Sequence, residues 1–326
     1  MKRYAALRWA RVVVSVAVFL ALTLLWTEYS GLFAGVFGWV GRTQIIMVGA
    51  VAASTFTVAF WLLATWLFGR VYCSSVCPLG TWFDIVGRIG LADRRAMGRV
   101  AHYRYSPALT RIRYGVLAVA VVCMVAGLAF LPLLIEPTSI YSRFVTNALK
   151  PLWGVACNLL ERVGAITGWW STGYVEVALA GVFGTALAVV SMIAVSIPAW
   201  LHGRTYCNSV CPIGAALGIV SRNALWRIDI DTDLCTNCGR CEDVCKASCI
   251  DLRGGHTVDS SRCVNCFDCL TVCPSDAIFY RPTRKQLSLP MMQAIQPPKL
   301  GRAAGESAQT AMENTIVNPS EPNTTQ

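Results

Sequence analysis

Residues 12–27 (VVVSVAVFLALTLLWT) carry no charge, and neither do 43–69, 114–135 and 177–201. With their flanks, these runs are long enough at 1.5 Å per residue to cross roughly 30 Å of hydrocarbon. The pattern predicts four transmembrane helices, at about 10–28, 43–69, 114–135 and 176–201. Before the second run lies SGLFAGVFGWVG. Before the fourth, Val145, Leu149, Leu152, Ala156 and Leu160 recur at helical spacing. Both stretches are expected to lie along the outer interface, with Trp153, Trp169, Trp170 and Tyr174 as an aromatic belt. Residues 1–227 read as the membrane domain, 228–282 as a small separate module, and the polar, Pro-containing 283–326 as a disordered tail.

Charge gives the predicted spans a direction. Lys2, Arg3, Arg8 and Arg11 precede the first, and Arg70, Arg88, Arg94, Arg95, Arg99, Arg104, Arg111 and Arg113 lie between the second and third. The intervening segments carry only Arg42 before the second span, and Arg143, Lys150 and Arg162 before the fourth. An excess of Arg and Lys marks the cytoplasmic side, so both termini and the Arg-rich loop are expected there, in a multi-pass protein of a bacterial inner membrane. No cleavage site follows Trp26, so the first span is read as an uncleaved anchor. A composition of 55% hydrophobic and 14% charged residues fits a membrane protein. The net charge of +10 is a topology signal beside apolar spans, and nucleic acid is not an expected partner.

The membrane domain is a duplication. GRVYCSSVCPLG follows the second span and GRTYCNSVCPIG the fourth; Arg70 and Arg204 are 134 residues apart (204 − 70), as are Arg88 and Arg222 (222 − 88). Each two-helix unit ends at a Cys-x-x-x-Cys-Pro turn. Pseudo-symmetry is expected to bring Cys73, Cys77, Cys207 and Cys211 towards one another beneath the C-terminal module. Four such thiols can hold a further metal, form switchable disulfides, or pack as small apolar groups in a docking turn.

The densest chemistry runs from Cys235 to Pro274. CTNCGRCEDVC and CVNCFDCLTVCP each hold three cysteines in a Cys-x-x-Cys-x-x-Cys run and a fourth after three more residues, the rhythm of [4Fe-4S] ligation rather than of zinc pairs. In two-cluster ferredoxins the fourth cysteine serves the other cluster. This predicts Cys235, Cys238, Cys241 and Cys273 on one cluster, and Cys263, Cys266, Cys269 and Cys245 on the second. Such ligation needs reduced thiols, in keeping with a cytoplasmic module. Lys246 stands where the second half has Pro274, and an extra Cys249 follows; spacing favours Cys245 over Cys249 as the ligand.

The segment resembles a bacterial two-cluster ferredoxin, which implies a small βαββαβ-like α+β module. Four spans, paired Cys-x-x-x-Cys-Pro turns and a C-terminal two-cluster module together resemble the NapH/MauN group of membrane ferredoxin-type proteins and the membrane half of NosR-type regulators. That resemblance implies single-electron transfer between a quinol pool or cytoplasmic donor and a partner redox protein, without substrate chemistry of its own. No region comparable to the flavin-binding domain of NosR-type proteins precedes Arg11, so a flavin-containing or multi-cluster subunit is an expected partner, and quinone a candidate ligand. An accessory factor delivering reducing equivalents to a metalloenzyme, and a redox-sensing regulator, are the alternatives.

Little else in the chain suggests chemistry. His102, His202 and His256 do not offer a haem pair inside the bilayer, and no dinucleotide fingerprint or P-loop is present. Glu28, Glu136 and Glu176 fall near the outer boundary, and Cys123 and Cys157 read as apolar fillers.

Overall fold

The computed structural model describes residues 4–29, 31–45, 51–100, 102–128, 130–167, 174–177 and 181–282. The tail from 283 onward lies outside the described residues, as do Trp169 and Trp170 of the expected aromatic belt.

The first half begins with α1 (Ala5–Thr27), α2 (Leu32–Arg42) and α3 (Val51–Phe68), then the short α4 (Val71–Ser75) and α5 (Pro78–Ala96). The second half opens with α6 (Thr110–Val125), α7 (Phe130–Ile135), α8 (Pro137–Phe144), a π-helical turn at Val145–Leu149 and α9 (Lys150–Thr167). It continues through α10 (Val182–His202), the short α11 (Thr205–Ser209) and α12 (Pro212–Ser221). The units match in kind: a long apolar helix, a five-residue helix carrying Cys73 or Cys207, and a Pro-initiated helix after Cys77 or Cys211.

Among the described residues, α1 and α10 are long and apolar enough to cross a membrane. The span expected at 43–69 is helical from Val51 to Phe68, with residues 46–50 outside the described set. The single helix expected at 114–135 is corrected to two. α6 stops at Val125, because Gly127 adopts φ +77° and turns the chain before α7. The span expected from 176 is helical only from Val182. The two stretches expected along the interface contain α2 and α9, and Tyr29, in the link between α1 and α2, donates its Oη to the Lys150 carbonyl at the start of α9 at 2.9 Å. Large apolar side chains remain exposed on many helices, such as Val13 and Leu20 on α1, Phe60 and Leu63 on α3, Val119 and Val122 on α6, Val190 and Ile197 on α10, and also Trp39 on α2 and Leu152 and Leu159 on α9.

The C-terminal module contains β1 (Trp226–Ile230), α13 (Arg240–Asp243), β2 (Ile250–Asp251), β3 (Thr257–Val258), α14 (Asp268–Val272) and β4 (Ile278–Pro282). β1 pairs antiparallel with β4, setting Trp226 opposite Pro282 and Ile230 opposite Ile278; β2 and β3 form a second antiparallel pair. This is the order expected of the module. Its core is continuous with that of the helices: Leu79, Phe83, Tyr206 and Ile213 belong to the same buried cluster as Ile228, Ile250, Leu270 and Ile278.

Candidate metal centre

The module is built twice with an offset of 28 residues, and its backbone shows it. Asn237 and Asn265 (265 − 237), Gly239 and Phe267 (267 − 239), and Ser248 and Asp276 (276 − 248) all adopt positive φ. Left-handed residues are rare outside glycine, so three matched pairs reflect a constrained loop path rather than chance. In each half the turn before the short helix carries two cysteines and the helix the third.

These paths wall two small cavities. Cys235, Cys238, Cys241 and Cys273 line one, with Ile230, Leu252 and Ile278 completing it. Cys245, Cys263, Cys266 and Cys269 line the other, together with Cys249, Ile228 and Val258. Cys273 thus stands with the first triplet and Cys245 with the second. Among the described residues no three His, Cys, Asp or Glu side chains converge on one point as a mononuclear metal requires. Thiols spread around an apolar cavity fit a multi-iron group. The first set is the more open, with Cys238 exposed, while Cys245, Cys249 and Cys269 are buried.

The duplicated turns interlock beside the second set. Arg70 and Arg204 are wholly buried, and each reaches into the other repeat. Arg70 donates to the Cys207 carbonyl at 3.1 Å, to Asn208 Oδ1 at 2.8 Å and to Cys73 Sγ at 3.7 Å. Arg204 donates to the Cys73 carbonyl, and at 3.0 Å to that of Gly80. Arg70 also donates to the Ser261 carbonyl at 3.1 Å, two residues before Cys263. The glycines of Cys-Pro-x-Gly are required by close approach: a Cβ at Gly80 would collide with the Cys73 carbonyl, and one at Gly214 with that of Cys207 and the Arg70 guanidinium.

Cys73, Cys77, Cys207 and Cys211 are all buried in this interface. Cys77 and Cys211 are the N-caps of α5 and α12, with proline at the first helical position, and Cys211 Sγ accepts from Gly214 N at 3.3 Å. Burial, and then the neighbouring thiols, push Cys77 and Cys211 well above the ordinary thiol range, and burial raises Cys207 to about 11.

A buried ion network fastens the module to the turns. Asp84 on α5 meets Arg11 at 2.5 Å, Arg204 at 2.9 Å and Lys246 at 3.5 Å; Lys246 also meets Asp268 at 2.8 Å, which Arg8 contacts at 2.9 Å. Burial alone would raise the Asp84 carboxyl. Arg204, Lys246 and Arg11 reverse this and hold it well below the usual carboxylate range. The Lys246 carbonyl accepts from Arg204 N at 2.8 Å, and Asn265 Nδ2 donates to the Phe68 carbonyl.

Asp84, Lys246, Asp268 and Arg11 escaped sequence reasoning as site residues. One signal was available: Asp84 is the only acid in Pro78–Gly90, where Arg88 is the only other charged residue. Arg70 and Arg113, read as topology markers, are buried donors. Arg113 bonds the Ser261 carbonyl at 2.8 Å and its hydroxyl at 3.1 Å.

Comparison with known proteins agrees with this architecture. The family described as "4Fe-4S binding domain" matches twice, at residues 50–95 and 185–229, the two copies of the repeat. The "4Fe-4S dicluster domain" family matches 234–277. Both matches are to families described as binding 4Fe-4S groups. Among curated relatives, the methylamine utilization ferredoxin-type protein MauN of Methylorubrum extorquens is 26% identical over 62% of this chain and 57% of its own length. The ferredoxin-type protein NapH of Haemophilus influenzae is 27% identical over 54% of this chain and 47% of its own. The putative electron transport protein YccM of Escherichia coli is 24% identical over 60% and 46%. The chain is similar to these NapH and MauN ferredoxin-type proteins. The matches span only about half the length of these relatives, and no solved structure matches.

Proposed function

We propose that this protein is a membrane-embedded relay that passes single electrons between a quinol pool or cytoplasmic donor and a partner redox protein, without substrate chemistry of its own. The carrying observation is the pair of thiol-lined cavities, each holding one triplet and the fourth cysteine of the other half. Two [4Fe-4S] clusters, on Cys235, Cys238, Cys241 and Cys273 and on Cys263, Cys266, Cys269 and Cys245, would supply one-electron sites there.

The residues give these sites different tasks. The exposed Cys238 leaves the first open to a soluble redox partner. Arg70, Asn265 and Lys246 clamp the second against the ends of the apolar helices. Apolar faces left exposed on α1, α3, α6 and α10 support four spans. The positive-inside rule supports the cytoplasmic face of a bacterial inner membrane as the side of the module and both turns.

The burial of all four turn thiols favours a relay over a factor that delivers reducing equivalents by thiol exchange, which needs an accessible sulfur. The test is cluster reduction in inside-out vesicles. A relay drawing on quinol shows reduction of the clusters on addition of quinol, blocked by a quinone-site inhibitor. Reduction only by a soluble cytoplasmic donor assigns entry to that side, and no reduction by either refutes the relay.

A further inference from the structure

We infer that Cys249 is a second, exchangeable ligand at the Cys263 triplet, able to take the place of Cys245. The inference rests on the reading of that cavity as a [4Fe-4S] site. Such a cluster takes four protein thiols, and five line this cavity.

The fifth thiol is held there by the fold. Ser248, at φ 51°, turns the chain and closes on Cys245 through Ser248 N donating to the Cys245 carbonyl at 2.9 Å. The Cys249 carbonyl accepts from Asp259 N at 2.9 Å, which anchors the residue at the start of β2. Its sulfur lies 3.6 Å from Cys245 Sγ, and the residue is 2% exposed. The duplication supplies an internal control. The position equivalent to Cys249 is Ala277 (249 + 28), which lines the first cavity with a methyl group. Both halves bring this position to the cavity wall, and only one puts a ligating atom on it.

Exchange is balanced without any co-reactant. The iron–sulfur bond to Cys245 breaks as the bond to Cys249 forms, and the Cys249 thiol proton passes to the released Cys245 sulfur. No electron is gained or lost, and the charge of the site is unchanged. The second site thus has two ligand states, whereas the first has one.

The experiment uses the full chain, purified anaerobically, as wild type, Cys245→Ala, Cys249→Ala and the double variant. Iron, acid-labile sulfide and EPR of the dithionite-reduced protein are recorded. Exchange predicts about eight irons in the wild type and in each single variant, a shifted EPR signal from one centre in Cys245→Ala, and about four irons in the double variant. It also predicts that an iron chelator strips one cluster several-fold faster from Cys249→Ala than from wild type, a measurement made on a chain that keeps the ligand favoured by spacing. Cys249 is a bystander if Cys245→Ala holds about four irons and chelation of Cys249→Ala matches wild type. It is the sole ligand if Cys249→Ala alone falls to about four; either result overturns exchange. A wild type without iron would refute the cluster reading itself.

Discussion

Lys246 Nζ stands 3.5 Å from the Asp84 carboxylate and joins the residue after Cys245 to the helix that begins at the first Cys-Pro turn. A proline occupies the equivalent place in the other half, Pro274 (246 + 28). Where the ferredoxin pattern keeps a turn-former, this chain has a buried cation that meets Asp84 and Asp268 together. A positive charge beside the second thiol set would stabilise an electron added to a cluster held there. Lys246→Met is expected to lower the midpoint potential of one centre by tens of millivolts and leave the other in place, read by EPR-monitored redox titration.

Asp84 is the hub of the network, so its neutralisation leaves Arg11 and Arg204 buried without their carboxylate. Asp84→Asn should cost about 3–5 kcal/mol in thermal or denaturant unfolding in detergent. The folded carboxyl is held below its ordinary range, so its contribution is complete above about pH 4 and is lost only as pH falls through the depressed value. The variant should therefore be weaker than wild type across pH 5–8, with the difference closing only in acid.

The glycines of the two turns provide a test of the interlock. Gly80→Ala and Gly214→Ala force a methyl into a backbone carbonyl and should each cost about 1–3 kcal/mol. Gly115→Ala, on α6 with nothing near its added Cβ, should be neutral or stabilising by up to about 1 kcal/mol. Melting of the three variants in one detergent separates these outcomes.

Much of the site was legible in the sequence, because cysteine spacing fixes how far apart thiols can lie on short helices and turns. The two triplets and the 134-residue repeat needed no tertiary information. The partners of the buried charges did. Arg70 resembles any arginine at the end of an apolar span, and only the fold shows it crossing to Cys207 and Ser261. Lys246 was visible as a departure from the pattern, but its acids lie 162 residues upstream at Asp84 (246 − 84) and 22 downstream at Asp268 (268 − 246). The break after Val125 was hidden because Gly127 sits inside an uncharged run, where hydropathy is blind to a left-handed turn. Cys249 was legible as an extra cysteine, but its place beside Cys245 depends on the turn at Ser248.

The most direct test of the account is iron and acid-labile sulfide per chain, with EPR of the reduced protein, for anaerobically purified wild type and a variant in which Cys73, Cys77, Cys207 and Cys211 are all serine. The account confines metal to the C-terminal module and predicts about eight irons and the same two-centre signal in both proteins. About four irons in the wild type, or more than eight falling to eight in the variant, would contradict it, the latter by placing a further centre at the duplicated turns.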